Sequence, residues 1–122
     1  MRVLVVEDDP LVREVAVEAL RDAGFVVVEA GTGEEALEQT KAAPDAALLD
    51  IQLPGRLDGW DVGERLRQMR PDIPVVYATG RVPRMRRDVP GSRYLPKPYS
   101  ARDLIVAICE QVGSRPPARS MN

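Results

Sequence analysis

Hydrophobic and polar positions along the chain form short apolar runs that alternate with longer amphipathic stretches. Four apolar runs have the length of strands and cover residues 3–6, 25–28, 46–49 and 75–78, and the segment 93–95 is also strand-like. Between the first two runs, one face of a predicted helix carries Val12, Val15, Ala16, Ala19, Leu20 and Ala23. Strands that alternate with helices predict a parallel sheet covered on both faces and joined by right-handed crossovers.

Capping signals mark where the predicted helices begin. They are Asp9 before Pro10, Thr32 with Glu35, Asp58 before Gly59, and Ser100 with Asp103. One crossover lacks such a pattern, because residues 80–93 have prolines near both ends and few apolar positions. We therefore predict at most one or two helical turns there, which is a shortened fourth helix.

The composition indicates one globular domain. The chain has 122 residues, of which 44% are hydrophobic and 30% are charged, with a formal net charge of −2. No apolar run is long enough to span a membrane, and the amino terminus enters the first strand without a signal peptide, so we expect a cytoplasmic protein. Residues 1–112 form the predicted domain, and residues 113–122 are expected to be a disordered tail.

The chain contains no histidine, which narrows the chemistry that it can perform. Catalytic triads that use histidine and zinc sites that contain it are excluded. The single cysteine, Cys109, lies among apolar residues at helical spacing, which is typical of a buried core thiol. The chemistry of the chain is therefore expected to depend on carboxylate side chains.

Reactive side chains follow the carboxyl ends of four predicted strands. In chain order they are Glu7, Asp8 and Asp9, then Asp50, then Thr79, then Lys97. Since ligands of parallel α/β sheets bind at the carboxyl ends of the strands, these side chains are expected to share one crevice. Acids, a hydroxyl and a lysine suit a metal ion, a phosphoryl group and a carboxylate nucleophile.

Five short motifs together resemble the receiver domain of two-component response regulators. They are VVEDD at residues 5–9, LLDIQLP at 48–54, DG at 58–59, ATG at 78–80 and YLPKP at 94–98. The resemblance covers about residues 1–112. It implies an α/β, flavodoxin-like, doubly wound (βα)5 fold with a five-stranded parallel sheet in the order 2-1-3-4-5.

The resemblance also implies a set of metal ligands around a phosphoacceptor. Asp50 is expected to accept a phosphoryl group from a phosphohistidine. Mg²⁺ is the implied cofactor, held by Asp8 and Asp50 directly, by Glu7 nearby or through water, and by the main-chain carbonyl of Gln52. Asp9 is explained by N-capping alone, and a metal role for it is the less favoured alternative.

Phosphate binding and switching are assigned in the same way. Lys97, Thr79 and the amide of Gly80 are expected to contact phosphoryl oxygens. Thr79 and Tyr94 would act as the switch pair, although Tyr94 also fits a simple core aromatic. The bond before Pro98 is expected to be cis.

The leading functional hypothesis is a receiver that signals through a changed protein-binding surface. Its expected partners are a histidine kinase or histidine phosphotransfer protein and an unknown downstream protein, with no nucleic acid and no membrane, and the chain is expected to be a monomer. It is not expected to be an enzyme beyond its own phosphorylation and autodephosphorylation. The arginine-rich stretch between Thr79 and Tyr94 is expected to be solvated or to face an acidic protein partner.

Three alternatives remain beside it. The chain could be the receiver module of a larger hybrid histidine kinase. A haloacid-dehalogenase-like phosphatase would have an aspartate two positions after its nucleophile, where this chain has Gln52. A flavodoxin-like cofactor binder would need phosphate loops and aromatic flavin walls, whereas these strand ends are acidic.

Trp60 is expected to pack partly at the surface and not to contact a ligand.

Overall fold

The structure is a computed structural model that describes residues 1–81 and 83–113. Within this part of the chain, five strands form one parallel sheet in the order β2-β1-β3-β4-β5. Their bounds are β1 Arg2–Val6, β2 Val26–Ala30, β3 Ala46–Asp50, β4 Val75–Thr79 and β5 Arg93–Pro96. The predicted flavodoxin-like strand order is therefore confirmed.

Four helices accompany the strands in the described ranges: α1 Pro10–Asp22, α2 Gly33–Gln39, α3 Gly59–Met69 and α4 Ala101–Val112. A short 3-10 turn, Thr40–Ala42, extends α2. Each helix begins where the sequence predicts, and α3 and α4 carry complete capping boxes. At α2 the box is only half formed, since Glu35 Oε1 accepts the Gly31 amide 2.5 Å away. None of these helices has the length and apolar composition that a membrane span requires.

Both faces of the sheet are buried, as expected for a parallel sheet between two helical layers. On one face Val5, Leu48 and Val76 pack with residues of α1 and α4. On the other face Leu4 and Leu49 pack with residues of α2 and α3. Alternate residues of the strands therefore pack on opposite faces of the sheet. The carboxyl ends of the strands remain available for reactive side chains.

The connection from β4 to β5 differs from the expected shortened helix. Residues 80, 81 and 83–92 form bends and turns, and no helix is present among them. Pro83 and Pro90 lack the amide hydrogen that a helix interior needs, and the stretch has few apolar residues to bury. The shortened fourth helix is thus absent from the described part of this crossover, while the flavodoxin-like fold and the order of the strands are unaffected.

Side-chain contacts hold this loop where a helix would otherwise pack. Val89 is buried, and its amide donates to the Tyr77 hydroxyl over 3.3 Å. The Arg87 guanidinium reaches Asp61 Oδ1 at 2.9 Å and Glu64 Oε1 at 2.7 Å on α3. The loop is therefore fastened both to the core and to the neighbouring helix.

The expected tail lies almost wholly outside the described residues. Of residues 113–122 the structure describes Gly113, which caps α4 with a left-handed φ of 71°. Glycine adopts that conformation without strain, so this residue ends the helix.

Gly63→Ala is predicted to destabilise the fold. A Cβ at Gly63 would lie 2.3 Å from the Tyr77 hydroxyl oxygen, so either α3 or the buried Tyr77 ring would have to move. Overpacking of this kind costs about 1–3 kcal/mol, more than the ~1 kcal/mol that alanine gains over glycine in a helix. Urea denaturation would measure the loss. Gly80→Ala is the control, because no heavy atom lies within 4 Å of its added Cβ, and an unchanged Gly63→Ala midpoint would contradict this packing.

Candidate functional site

An acidic cluster occupies the carboxyl ends of β1 and β3. Glu7, Asp8 and Asp50 each place one carboxylate oxygen within 4.8 Å of the others. Glu7 is 3% exposed and Asp50 is 6% exposed, whereas Asp8 faces solvent. Carboxylate oxygens at this spacing suit a hard divalent cation such as Mg²⁺, with one open side for water or another ligand.

Glu7 is held from several directions. Its amide continues the sheet by donating to the Ala30 carbonyl over 3.0 Å. Its own carbonyl accepts a bond from Arg13 Nη1 at 2.7 Å, and its carboxylate accepts the Asp9 amide at 3.1 Å. Asp9 uses its side chain to cap α1, as predicted. The buried carboxylate therefore has a fixed position.

Lys97 brings a cation into the acidic cluster from the turn between β5 and α4. Its Nζ lies 2.5 Å from Glu7 Oε1 and 3.3 Å from Asp50 Oδ2. Lys97 thus contacts both buried acids, and Glu7 is the nearer of its two partners. The Lys97 amide donates to the Thr79 carbonyl over 2.8 Å. The Lys97–Pro98 peptide bond is cis.

Burial and charge change the pKa values of this pair. Burial, followed by the negative charge of Glu7, raises the pKa of Asp50 to about 7, and the Lys97 ammonium offsets only part of that rise. Burial lowers the pKa of Lys97, but the hydrogen bond to Glu7 and the charge of Asp50 outweigh it and raise the pKa overall. Lys97 is therefore an ammonium at neutral pH, while Asp50 binds a proton more readily than an ordinary aspartate.

Thr79 ends β4 beside the cluster, but its hydroxyl faces its own loop. Thr79 Oγ1 donates to the Arg81 carbonyl over 2.6 Å and accepts the Arg81 amide over 3.2 Å. Gly80 is exposed at the start of the loop. The hydroxyl would have to exchange its bond to the Arg81 carbonyl for any bond to a group on Asp50.

The chain after Asp50 folds back over the site. The Gln52 amide donates to Asp50 Oδ1 over 3.2 Å, which places the main chain of Gln52 beside the carboxylate. Gly59 then packs α3 against this strand end, since a Cβ there would lie 2.2 Å from the Asp50 carbonyl oxygen. Glycine is required at Gly59 by this close approach.

Three aromatic rings pack behind Thr79 and the loop. Trp60 lies 4.9 Å from Tyr77 and 6.2 Å from Tyr94, measured between ring centroids. Trp60 is 6% exposed, so the expected partial surface packing is wrong. The reason is tertiary, because Trp60 stands at the start of α3 and faces the sheet. Tyr94 is half-buried, and the Arg86 guanidinium lies 4.7 Å from its ring centroid.

Arg13 and Tyr99 also lie at the site, although no strand-end signal marks them. Arg13 reaches the Glu7 carbonyl from α1. Tyr99 is two residues after Lys97, and burial, followed by the charge of Glu7, raises its pKa to about 12. The spacing of Arg13 from Asp9, one helical turn, is the one signal that could have pointed to it.

Comparison with known proteins identifies relatives over most of the chain. Residues 3–109 match the response regulator receiver domain family. Response regulator MprA of Mycobacterium leprae (strain TN) is 39% identical over 113 residues, which cover 88% of this chain and 49% of that protein. Response regulator MprA of Mycobacterium ulcerans (strain Agy99) is 39% identical over 110 residues, with 86% and 47% covered. The chain thus spans about half the length of the curated relatives it matches.

Solved structures share the fold. A response regulator receiver protein from Sinorhizobium medicae WSM419 has a TM-score of 0.87 and 30% identity, covering 94% of this chain and 96% of that chain. The receiver domain from the hybrid histidine kinase CckA has a TM-score of 0.79 and 32% identity, with 92% and 99% covered. The motif resemblance, the strand order and these matches agree, and the chain belongs to the response regulator receiver domain family.

Proposed function

We propose that this receiver domain accepts a phosphoryl group on Asp50 from a phosphohistidine of a histidine kinase or histidine phosphotransfer protein. The observation that carries the proposal is the position of Asp50. Its carboxylate ends the central strand, 3.3 Å from the Lys97 ammonium and among the oxygens of Glu7 and Asp8. A carboxylate nucleophile, a cation and a metal-binding set are the components that phosphoryl transfer needs.

Asp50 would perform the covalent step. One of its oxygens attacks phosphorus, the phosphorus–nitrogen bond breaks, and the histidine nitrogen keeps the electron pair. The difficulty is the negative charge on both reactants. Lys97 lowers that barrier by pairing with a phosphoryl oxygen, which its position between Glu7 and Asp50 supports.

The donor set fits Mg²⁺. Asp8 and Asp50 would bind it directly, Glu7 nearby or through water, and the main-chain carbonyl of Gln52 would complete the protein ligands. Mg²⁺ prefers a few carboxylates with water and phosphate oxygen, and Asp8 leaves the cluster open to solvent. When bound, it offsets the negative charge between the carboxylates and the phosphoryl oxygens.

Thr79, Gly80 and Tyr94 would convert the new charge into a structural change. The Thr79 hydroxyl would leave the Arg81 carbonyl for a phosphoryl oxygen, and the Gly80 amide would supply a further donor. Because Arg81 lies near the start of the β4–β5 loop, that exchange would shift the loop, whose Arg86 lies over the Tyr94 ring. The loop and the outer side of β5 are then the changed surface that a downstream protein reads.

The phosphodonor is proposed to dock against α1. A groove of about 450 Å³ lies between α1 and the turn after β5, and Leu11, Val15, Pro98 and Tyr99 line it. Leu11 is 74% exposed and Val15 is 54% exposed, an unusual amount of apolar surface for one helix face. Lys97 also lines this groove, so a helical partner seated there would bring its phosphohistidine to the same opening as Asp50.

The location and the partners of the domain are part of the same proposal. We propose a cytoplasmic monomer whose partners are the phosphodonor and a downstream protein, with no nucleic acid or membrane partner, and with no catalysis beyond its own phosphorylation and autodephosphorylation. A place within a larger regulator or hybrid histidine kinase is the second candidate, favoured by the half-length match to MprA and the likeness to the CckA receiver domain. Gln52 argues against a haloacid-dehalogenase-like phosphatase.

Asp50→Asn is predicted to abolish labelling by a small phosphodonor. With phosphoramidate and Mg²⁺, the wild-type protein should gain one phosphoryl group by mass spectrometry, and the variant none. Asp8→Ala or excess chelator should slow labelling by at least about tenfold, since loss of even an outer contact of a metal ligand commonly costs 10–100-fold. Asp72→Asn, whose carboxylate lies on the surface, serves as the control. Full labelling of Asp50→Asn would show that another residue is the acceptor.

Asp50→Asn is also predicted to stabilise the metal-free protein above neutral pH. The folded-state pKa of Asp50, about 7, exceeds the ordinary value of 3.8, so the folded state binds the proton more tightly than the unfolded state. Stability contributed by this group therefore falls as pH rises from about 4 to about 7. Asparagine removes that loss, which is about 1 kcal/mol or more at pH 8 because one pKa unit corresponds to ~1.4 kcal/mol.

Thermal unfolding in chelator at pH 5 and pH 8 measures this effect. The gain of Asp50→Asn should be present at pH 8, shrink at pH 5, and be reduced by Mg²⁺ at pH 8. Asp22→Asn, at the exposed far end of α1, should keep the wild-type profile. Equal stabilities of Asp50→Asn and wild type at pH 8 would contradict a raised pKa of Asp50 in the folded state.

A further inference from the structure

Arg13 joins three elements that meet at the acidic cluster. It stands one turn into α1, and its Nη1 donates to the Glu7 carbonyl over 2.7 Å. Its Nε lies 3.4 Å from Glu29 Oε1 on β2. The guanidinium thereby connects α1 and β2 to the main chain that carries Glu7 and Asp8.

The Glu7 carbonyl needs such a donor because the sheet ends beside it. The last residue pair of β1 and β2 is Val6 with Ala30, and the Glu7 amide makes one more bond to the Ala30 carbonyl. Beyond Ala30 the chain turns into α2, so β2 offers no further amide in register. Arg13 supplies the missing bond, and a main-chain carbonyl left without one at a partly buried position would be costly.

Gly31 leaves room for this contact. A Cβ at Gly31 would lie 3.1 Å from Arg13 Nη1, which is tighter than an ordinary contact. The planar guanidinium then points two of its donors at different acceptors, the Glu7 carbonyl and the Glu29 carboxylate. Lysine has a single nitrogen on a flexible stem and does not reproduce this fork.

We propose that Arg13 is a positioning residue that fixes the main chain at Glu7 and Asp8 and thereby raises the affinity of the acidic cluster for Mg²⁺. This inference rests on the proposed function. Arg13 does not touch the carboxylate oxygens in its contacts above, so it acts through the main chain of Glu7. Partners that orient metal ligands in this way commonly change metal affinity by 10–100-fold.

Positioning and charge make opposite predictions for the loss of Arg13. A guanidinium beside a cation site repels Mg²⁺, so removing only its charge would tighten binding. Loss of the bond to Glu7 would instead loosen the ligand-bearing loop and weaken binding. Arg13→Met removes both the charge and the bond, whereas Arg13→Lys keeps the charge and loses the fork.

The experiment measures Mg²⁺ dissociation constants of the full chain by isothermal titration calorimetry at pH 7.5. Both Arg13→Met and Arg13→Lys should weaken binding by about tenfold. Arg21→Met is the matched control, because Arg21 lies on the same helix and faces the same Glu29 at 3.8 Å without contacting the loop. It should stay within about twofold of wild type.

Two further readouts separate positioning from a general loss of structure. Thermal unfolding in chelator establishes that each variant is folded, and Arg13→Lys, which keeps the positive charge, decides the question alone if Arg13→Met does not fold. Labelling by phosphoramidate at saturating Mg²⁺ should recover in the Arg13 variants, since only the affinity is affected. Unchanged or tighter Mg²⁺ binding by both Arg13 variants overturns the inference, and failure of the wild-type protein to bind Mg²⁺ overturns the proposed function itself.

Discussion

Crowding of carboxyl groups at one edge of the sheet is the constraint on which the site depends. Three carboxylate oxygens, from Glu7, Asp8 and Asp50, lie within 4.8 Å of one another, and two of the three residues are buried. Buried like charges at this distance repel strongly. Lys97 compensates part of that repulsion by contacting both buried acids, but burial and then the charge of Glu7 still raise the pKa of Asp50.

The repulsion that remains between the carboxylates determines what the site tends to bind. A proton or a divalent cation relieves it, so the protein is predisposed to bind one of them at Asp50. The acidic residues are held close together because the sheet register fixes each strand end. Glu7 is held further by its contacts with Asp9 and Arg13. Preorganised ligands of this kind cost little rearrangement when a cation enters.

A loop in place of a fourth helix changes what connects the carboxyl end of β4 to β5. Arg86 contacts Asp88 and Tyr94, and Arg87 contacts acidic residues of α3, so two of the loop's arginines are already paired within the chain. Arg81, the hydrogen-bond partner of the Thr79 hydroxyl, lies near the start of the loop, and the loop ends at β5. A shift at Thr79 would therefore be transmitted through ion pairs and an aromatic contact, which are weaker and more salt-sensitive than a packed helix.

Local sequence signals determined most of the architecture. Capping residues predicted the helix starts, and the acids at strand ends predicted the membership of the acidic cluster, because each signal is contained in a short window. The strand order came from the resemblance of the five motifs to receiver domains. The tertiary structure decided the contacts that these short windows do not contain. Lys97 bonds Glu7 across 90 positions of sequence, the Thr79 hydroxyl turns to Arg81, and Trp60 is buried against the sheet. Such contacts depend on how distant elements pack, so the chain determined which residues meet at the edge of the sheet, and packing decided which of them touch.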